Sequence, residues 1–146
     1  MHRLLIIILL LLSNVNASDQ TDYVLSFDVH GIMEHILYPS SAIVWGNAGY
    51  VITEDGEQSL APTTEEEWHN IEDHAAMIME TANLLILPGR GPNNEEWIRL
   101  SKKLAVTGEL AFKAAQAKDV DALFDAGGAI YQSCLACHER YIVPNE

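Results

Sequence analysis

Three stretches of apolar residues recurring at alternating three- and four-residue steps constrain this chain more than any other feature. The first is Trp68, Ile71, Ala75, Ile78, Ala82 and Leu85; the second is Trp97, Leu100, Leu104, Thr107, Ala111 and Ala114. Val120, Leu123, Gly127, Ile130, Cys134, Cys137 and Tyr141 make the third. Side chains at these offsets share one face of an α-helix, so each stretch predicts a helix with a buried stripe. The ends are marked as well. Thr64 with Glu67 matches a capping box, and Glu65 and Glu66 lie in the first turn, where the helix dipole favours acid. Asn93 with Glu96 repeats that opening after the Pro88-Gly89-Arg90-Gly91-Pro92 break, and Asp119 or Asp121 opens the last helix. The acidic runs Glu65–Glu67 and Glu95-Glu96 therefore read as caps and not as catalytic pairs.

A further helical segment is expected at about 23–47, with Pro39 kinking or splitting it. The long connection 46–63 holds an Asp55-Gly56 turn between 50–53 and 57–60, the pattern of a small hairpin. Four amphipathic helices with one long connection and two short ones predict an all-α, antiparallel four-helix bundle.

The 146 residues suit one domain. Residues 1–17 read as a secretory signal: a basic start at Met1-His2-Arg3, an apolar run Leu4–Leu12, and a small or apolar ending at Val15-Asn16-Ala17. That run is far shorter than the ~20 apolar residues needed to span a bilayer. Cleavage after Ala17 would leave 18–146 as a single domain outside the cytoplasm and free of the membrane, periplasmic in a Gram-negative host. Net charge is −13, or −14 once Arg3 is removed. Such acidity argues against nucleic acid and anionic lipid. It favours a basic partner found by electrostatic steering, although acidity also serves to keep a secreted protein soluble.

Cys134-Leu135-Ala136-Cys137-His138 is the C-x-x-C-H pattern of covalent haem c attachment. On a helix Cys134 shares its face with Cys137 and His138. Two thiols can then reach the two vinyl groups of one porphyrin while the imidazole reaches its iron. Covalent attachment also retains the cofactor in a compartment from which free haem would diffuse away. Two other chemistries use such pairs. A thioredoxin-like site expects alternating strands and helices, with the cysteine at a helix start. A zinc site needs four ligands, and the chain has only these two cysteines. The pattern and the export signal together select haem.

A four-helix chain with C-x-x-C-H on its last helix resembles the cytochrome c-prime family and its low-spin relatives, over about 23–141. Ile130-Tyr131-x-x-Cys134-Leu135-Ala136-Cys137-His138-x-x-Tyr141 carries most of the match. The resemblance implies a periplasmic protein with one covalent haem, commonly a homodimer, that transfers electrons or binds small gases. It departs at Ile142: family members usually carry a basic side chain four residues after the histidine, whereas here Arg140 follows by two. This departure weighs against the gas binding of five-coordinate members.

The resemblance also places the residue on the other side of the iron on the first helix. At ~100° per residue, Val29, Met33, Ile36, Leu37, Ser40 and Val44 cluster on one side. His35 falls roughly 200° from Met33, and His30 roughly 60° from the same face. The apolar face selects Met33, whose thioether would favour reduced iron and raise the potential. Core filling is the competing role for such a methionine; His30 as the ligand and an open iron position also compete with it. His35, His69 and His74 read as surface residues. Trp45, Trp68, Trp97, Tyr131 and Tyr141 read as core, with Tyr131 and Tyr141 best placed to touch the porphyrin. Gly127-Gly128 inside a helix calls for close approach of a neighbouring helix or of the haem, or for a local break. Arg90 and Arg140 are candidates to pair with haem propionates. The expected function is an electron carrier and not an enzyme, with His138 and Met33 as axial ligands and a redox partner bearing a basic docking face. A five-coordinate protein binding nitric oxide or carbon monoxide is the competing function.

Overall fold

The computed structural model describes residues 23–142; the signal-like segment 1–17 lies outside the described residues. Helix α1 (Val29–Ile32) passes without a break through a π-helical turn, Met33–Leu37, into α2 (Tyr38–Gly46). Strands β1 (Tyr50–Thr53) and β2 (Gly56–Ser59) follow, then helices α3 (Glu65–Leu85), α4 (Glu95–Ala117) and α5 (Val120–Tyr141). Helix α4 packs against both α3 and α5, and α2 lies against α3 and α5, which closes a mostly helical bundle. None of the described helices is long and apolar enough to cross a membrane.

The stripes become the core. All six expected positions on α3 and all six on α4 are buried. On α5, Leu123, Gly127 and Ile130 are buried, while Val120, Cys134, Cys137 and Tyr141 are half-buried. Burying an isoleucine or leucine such as Ile71, Ile78 or Leu123 contributes about 1.5–3 kcal/mol each. Gly108 lets α3 and α4 approach closely, since a Cβ there would lie 3.0 Å from the Met79 backbone nitrogen.

The caps follow the sequence with small shifts. Glu67 N–H donates to Thr64 Oγ1 at 3.2 Å, and Thr64 N–H donates back to Glu67 Oε2 at 3.0 Å. Helix α4 is capped by Asn94 and not by Asn93: Trp97 N–H donates to Asn94 Oδ1 at 2.9 Å, and Asn93 takes the left-handed φ of 54° that turns the chain into the cap. Asp119 caps α5, accepting from Ala122 N–H at 3.0 Å. The hairpin forms, but its turn is shifted. Thr53 faces Gly56, so Glu54-Asp55 are the central residues and Gly56, with φ 126°, opens the second strand.

Two expectations for the first helix are corrected. It starts at Val29 and not at Tyr23, because Asp28 caps it by accepting from Gly31 N–H at 2.8 Å. Pro39 does not split it. Proline has no N–H, and its ring crowds the carbonyl four residues back. The turn before it widens instead, with Tyr38 N–H donating to Met33 O in the five-residue pattern of a π turn.

Candidate functional site

The last two turns of α5 carry Cys134, Cys137 and His138 to the edge of a cleft. Its inner part is narrow, about 20 Å³, and takes its walls from four elements. Met33 and Leu37 come from the π turn, Leu85 from α3, Leu100, Ser101 and Leu104 from α4, and Ser133, Cys134, Cys137 and His138 from α5. Its outer part, about 300 Å³, adds Tyr38, Ser41, Trp45, Tyr131 and Leu135. Met33, Leu37, Cys134 and His138 bound both parts. The outer volume reaches the lower end of the range for cofactor and ligand pockets, roughly 300–1,000 Å³.

The π turn decides what faces the cleft. Met33, at its start, and Leu37, at its end, both point inward. His30 and His35 do not. His30 has a side chain 84% exposed, and His35 packs against the Phe27 ring, centroids 5.4 Å apart, on the outer surface. His69 is exposed beside Glu72 and Asp73, and the His74 ring lies 2.8 Å from Asn70 O.

Burial pushes both thiols up. For Cys134 desolvation is the largest cause, with the neighbouring Cys137 adding to it; for Cys137 it is desolvation and then the charge of Glu96. Both are free and protonated at neutral pH. A nucleophilic cysteine needs the reverse, a lowered pKa at a helix start or beside a cation. Among the described residues no group of three or more His, Cys, Asp or Glu side chains gathers as a metal centre.

The donor set is chemically suited to a haem. The face of a porphyrin needs apolar walls; Leu37 borders both parts of the cleft, while Leu85, Leu100 and Leu104 line only the inner part, which at about 20 Å³ has room for a water and not for a ring. A haem iron would accept an imidazole and a thioether, and His138 and Met33 come from different helices onto the same cleft. Cys134 and Cys137 lie beside His138 on that wall.

Other expected contacts differ. Tyr131 is not core: it is 55% exposed and forms part of the outer rim. Tyr141 lines neither part of the cleft. Its ring meets Trp97 edge-on at 5.0 Å, and its hydroxyl donates to Asn94 Oδ1 at 2.9 Å. Arg90 is committed to backbone, donating to Leu84 O at 2.8 Å and to Phe27 O at 3.3 Å. Neither Arg90 nor Arg140 borders the cleft. Gly127 is explained by a helix: its added Cβ would meet Trp45 Cδ1 at 3.3 Å, and Trp45 Nε1 donates to Gly127 O at 2.9 Å. Spacing did not single out Ser41, Tyr38 or Leu135 as walls. Ser41 follows Ser40 one residue off the apolar stripe, so it carries no sign of its place.

No protein-family model, no curated protein and no solved structure matches this chain.

Proposed function

We propose that this chain is an exported c-type cytochrome, of the kind the cytochrome c-prime resemblance implies, that carries electrons on one covalent haem. The observation that carries the proposal is the shared cleft. The two cysteines and His138 of the C-x-x-C-H pattern border it from α5, and Met33 borders it from the first helix. A bound haem supplies a ferric–ferrous couple. The chain's own residues do the rest. Cys134 and Cys137 would hold the ring by thioether bonds, His138 would supply an imidazole nitrogen to its iron, and Met33 Sδ a soft donor that favours the ferrous state. The apolar side chains lining the cleft would keep that preference strong, since low polarity disfavours the more highly charged iron. No acid–base or nucleophilic step is required, so the proposal is a carrier and not an enzyme.

The test is Met33→Ala in the purified holoprotein. Wild type should be low-spin in the ferric state, with the weak near-infrared band of methionine–iron ligation. The alanine variant should lose that band, fall in reduction potential and bind carbon monoxide rapidly when reduced. Rapid carbon monoxide binding by high-spin wild type would make Met33 a packing residue and the chain a gas-binding haem protein.

A further inference from the structure

A separate hollow of about 400 Å³ opens where the end of α2 meets the middle of α5. Trp45 reaches it from α2, and Phe124, Asp125, Gly128 and Tyr131 reach it from α5. Met33, Cys134, Cys137 and His138 do not border it, so it is not the cleft given to the haem, although Trp45 and Tyr131 stand at the edge of both. Phe124 and Tyr131 are 59% and 55% exposed, and Asp125 and Gly128 are exposed too, so its walls are open to solutes.

Two of the three aromatic walls are fixed before anything binds. Trp45 is held by the hydrogen bond from its Nε1 to Gly127 O, at 2.9 Å. Phe124 lies against Gly49, where a Cβ would come within 3.2 Å of its ring Cε2. Gly128 opens the floor between the other two aromatics of α5, since Phe124, Gly128 and Tyr131 follow at four and three residues on one helix face. Unlike Gly127, it is not explained by packing: an added Cβ would meet nothing within 4 Å. A glycine inside a helix is destabilising relative to alanine, and here it leaves room for a ligand.

Charge defines that ligand. Asp125 is the one charged residue bordering the hollow, and among the described residues it forms no salt bridge. Aromatic rings attract cations over their faces, and the net charge of −13 draws cations to the surface as a whole. An ammonium with N–H groups would need an acceptor for each proton, and Gly127 O is already taken by Trp45. A quaternary ammonium has no proton to satisfy and presents methyl groups to the rings.

We infer that this hollow binds a small quaternary ammonium ion, held between Trp45, Phe124 and Tyr131 with the Asp125 carboxylate as its counter-charge. This goes beyond the electron-carrier reading and does not rest on it.

The experiment is titration calorimetry on the purified protein with choline and with 3,3-dimethylbutan-1-ol, in which carbon replaces the quaternary nitrogen. Neither probe carries a free amine that could ligate an iron, so haem content does not enter the comparison. Wild type should bind choline about ten-fold more tightly than the neutral alcohol. Asp125→Asn and Phe124→Leu, both at exposed positions, should each reduce that preference to about three-fold or less. Gly128→Leu, which fills the floor with a good helix former, should abolish binding of both probes without lowering the melting temperature. Equal affinity for the two probes in wild type, or no choline binding at all, would overturn the inference. So would a preference left at the wild-type level in Asp125→Asn or Phe124→Leu, or choline binding undiminished in Gly128→Leu.

Discussion

Cys134 and Cys137 are half-buried in the last two turns of a long helix. Desolvation, with the neighbouring Cys137 for the first and Glu96 for the second, pushes both thiols up, so the pair is poorly set for thiol–disulfide exchange. Glu67 shows the opposite sign. Hydrogen bonds from the Thr63 and Thr64 backbone N–H groups, with the Thr63 hydroxyl, hold its carboxyl below the ordinary 4.5. A carboxyl lowered in the folded state adds stability above its unfolded pKa, and that stability is lost as the pH falls through the folded value. Wild type should therefore lose thermal stability on acidification below about pH 4.5, and Glu67→Gln should lose less over the same range. Equal pH slopes in melts of the two proteins would remove this role for the cap. At this scale the sequence was uneven. Thr64, Glu67, Met33 and His138 announce themselves by spacing. Tyr131 and Tyr141 do not, because an aromatic at the edge of a stripe can turn to core, rim or a neighbouring cap, and only the partner surfaces decide.

The elements divide in the same way. Helices α3 and α4 are long, strongly periodic and flanked by caps, so their buried faces could be written from spacing alone. The first helix could not. Its start depends on Asp28, which precedes no obvious break, and the 100° step assumed for its faces fails at the π turn. Met33 still faces the cleft because it stands at the start of that turn, where the extra residue is taken up beyond it. The turn thus absorbs one residue. Deleting His35, an exposed residue inside it, should leave an ordinary α-helical turn in which Tyr38 N–H still donates to Met33 O, now four residues back, so Met33 keeps its place on the cleft. The deletion variant should then keep the wild-type ferric spectrum and carbon monoxide kinetics. A spectrum matching that of Met33→Ala would show that the extra residue itself is needed to position the thioether.

The whole molecule is acidic, with 21 Asp and Glu against 8 Lys and Arg. If it exchanges electrons with a protein, the encounter should be steered by that charge. The rate of electron exchange with a basic redox protein should fall several-fold as ionic strength rises from about 0.01 to 0.15 M, over which the screening length shortens from ~30 to ~8 Å. Stopped-flow traces independent of salt would rule out steering and leave the acidity as a means of solubility. The proposed covalent haem matters most, because the proposed carrier chemistry and the proposed role of Met33 depend on it. The direct measurement is haem retention. Protein purified from the periplasm of a host able to attach haem is denatured in acid and extracted with an organic solvent. One haem per chain should stay with the polypeptide, and Cys134→Ala with Cys137→Ala should abolish that retention. Haem that passes intact into the solvent from the unsubstituted protein, or a chain that carries none, would contradict the account.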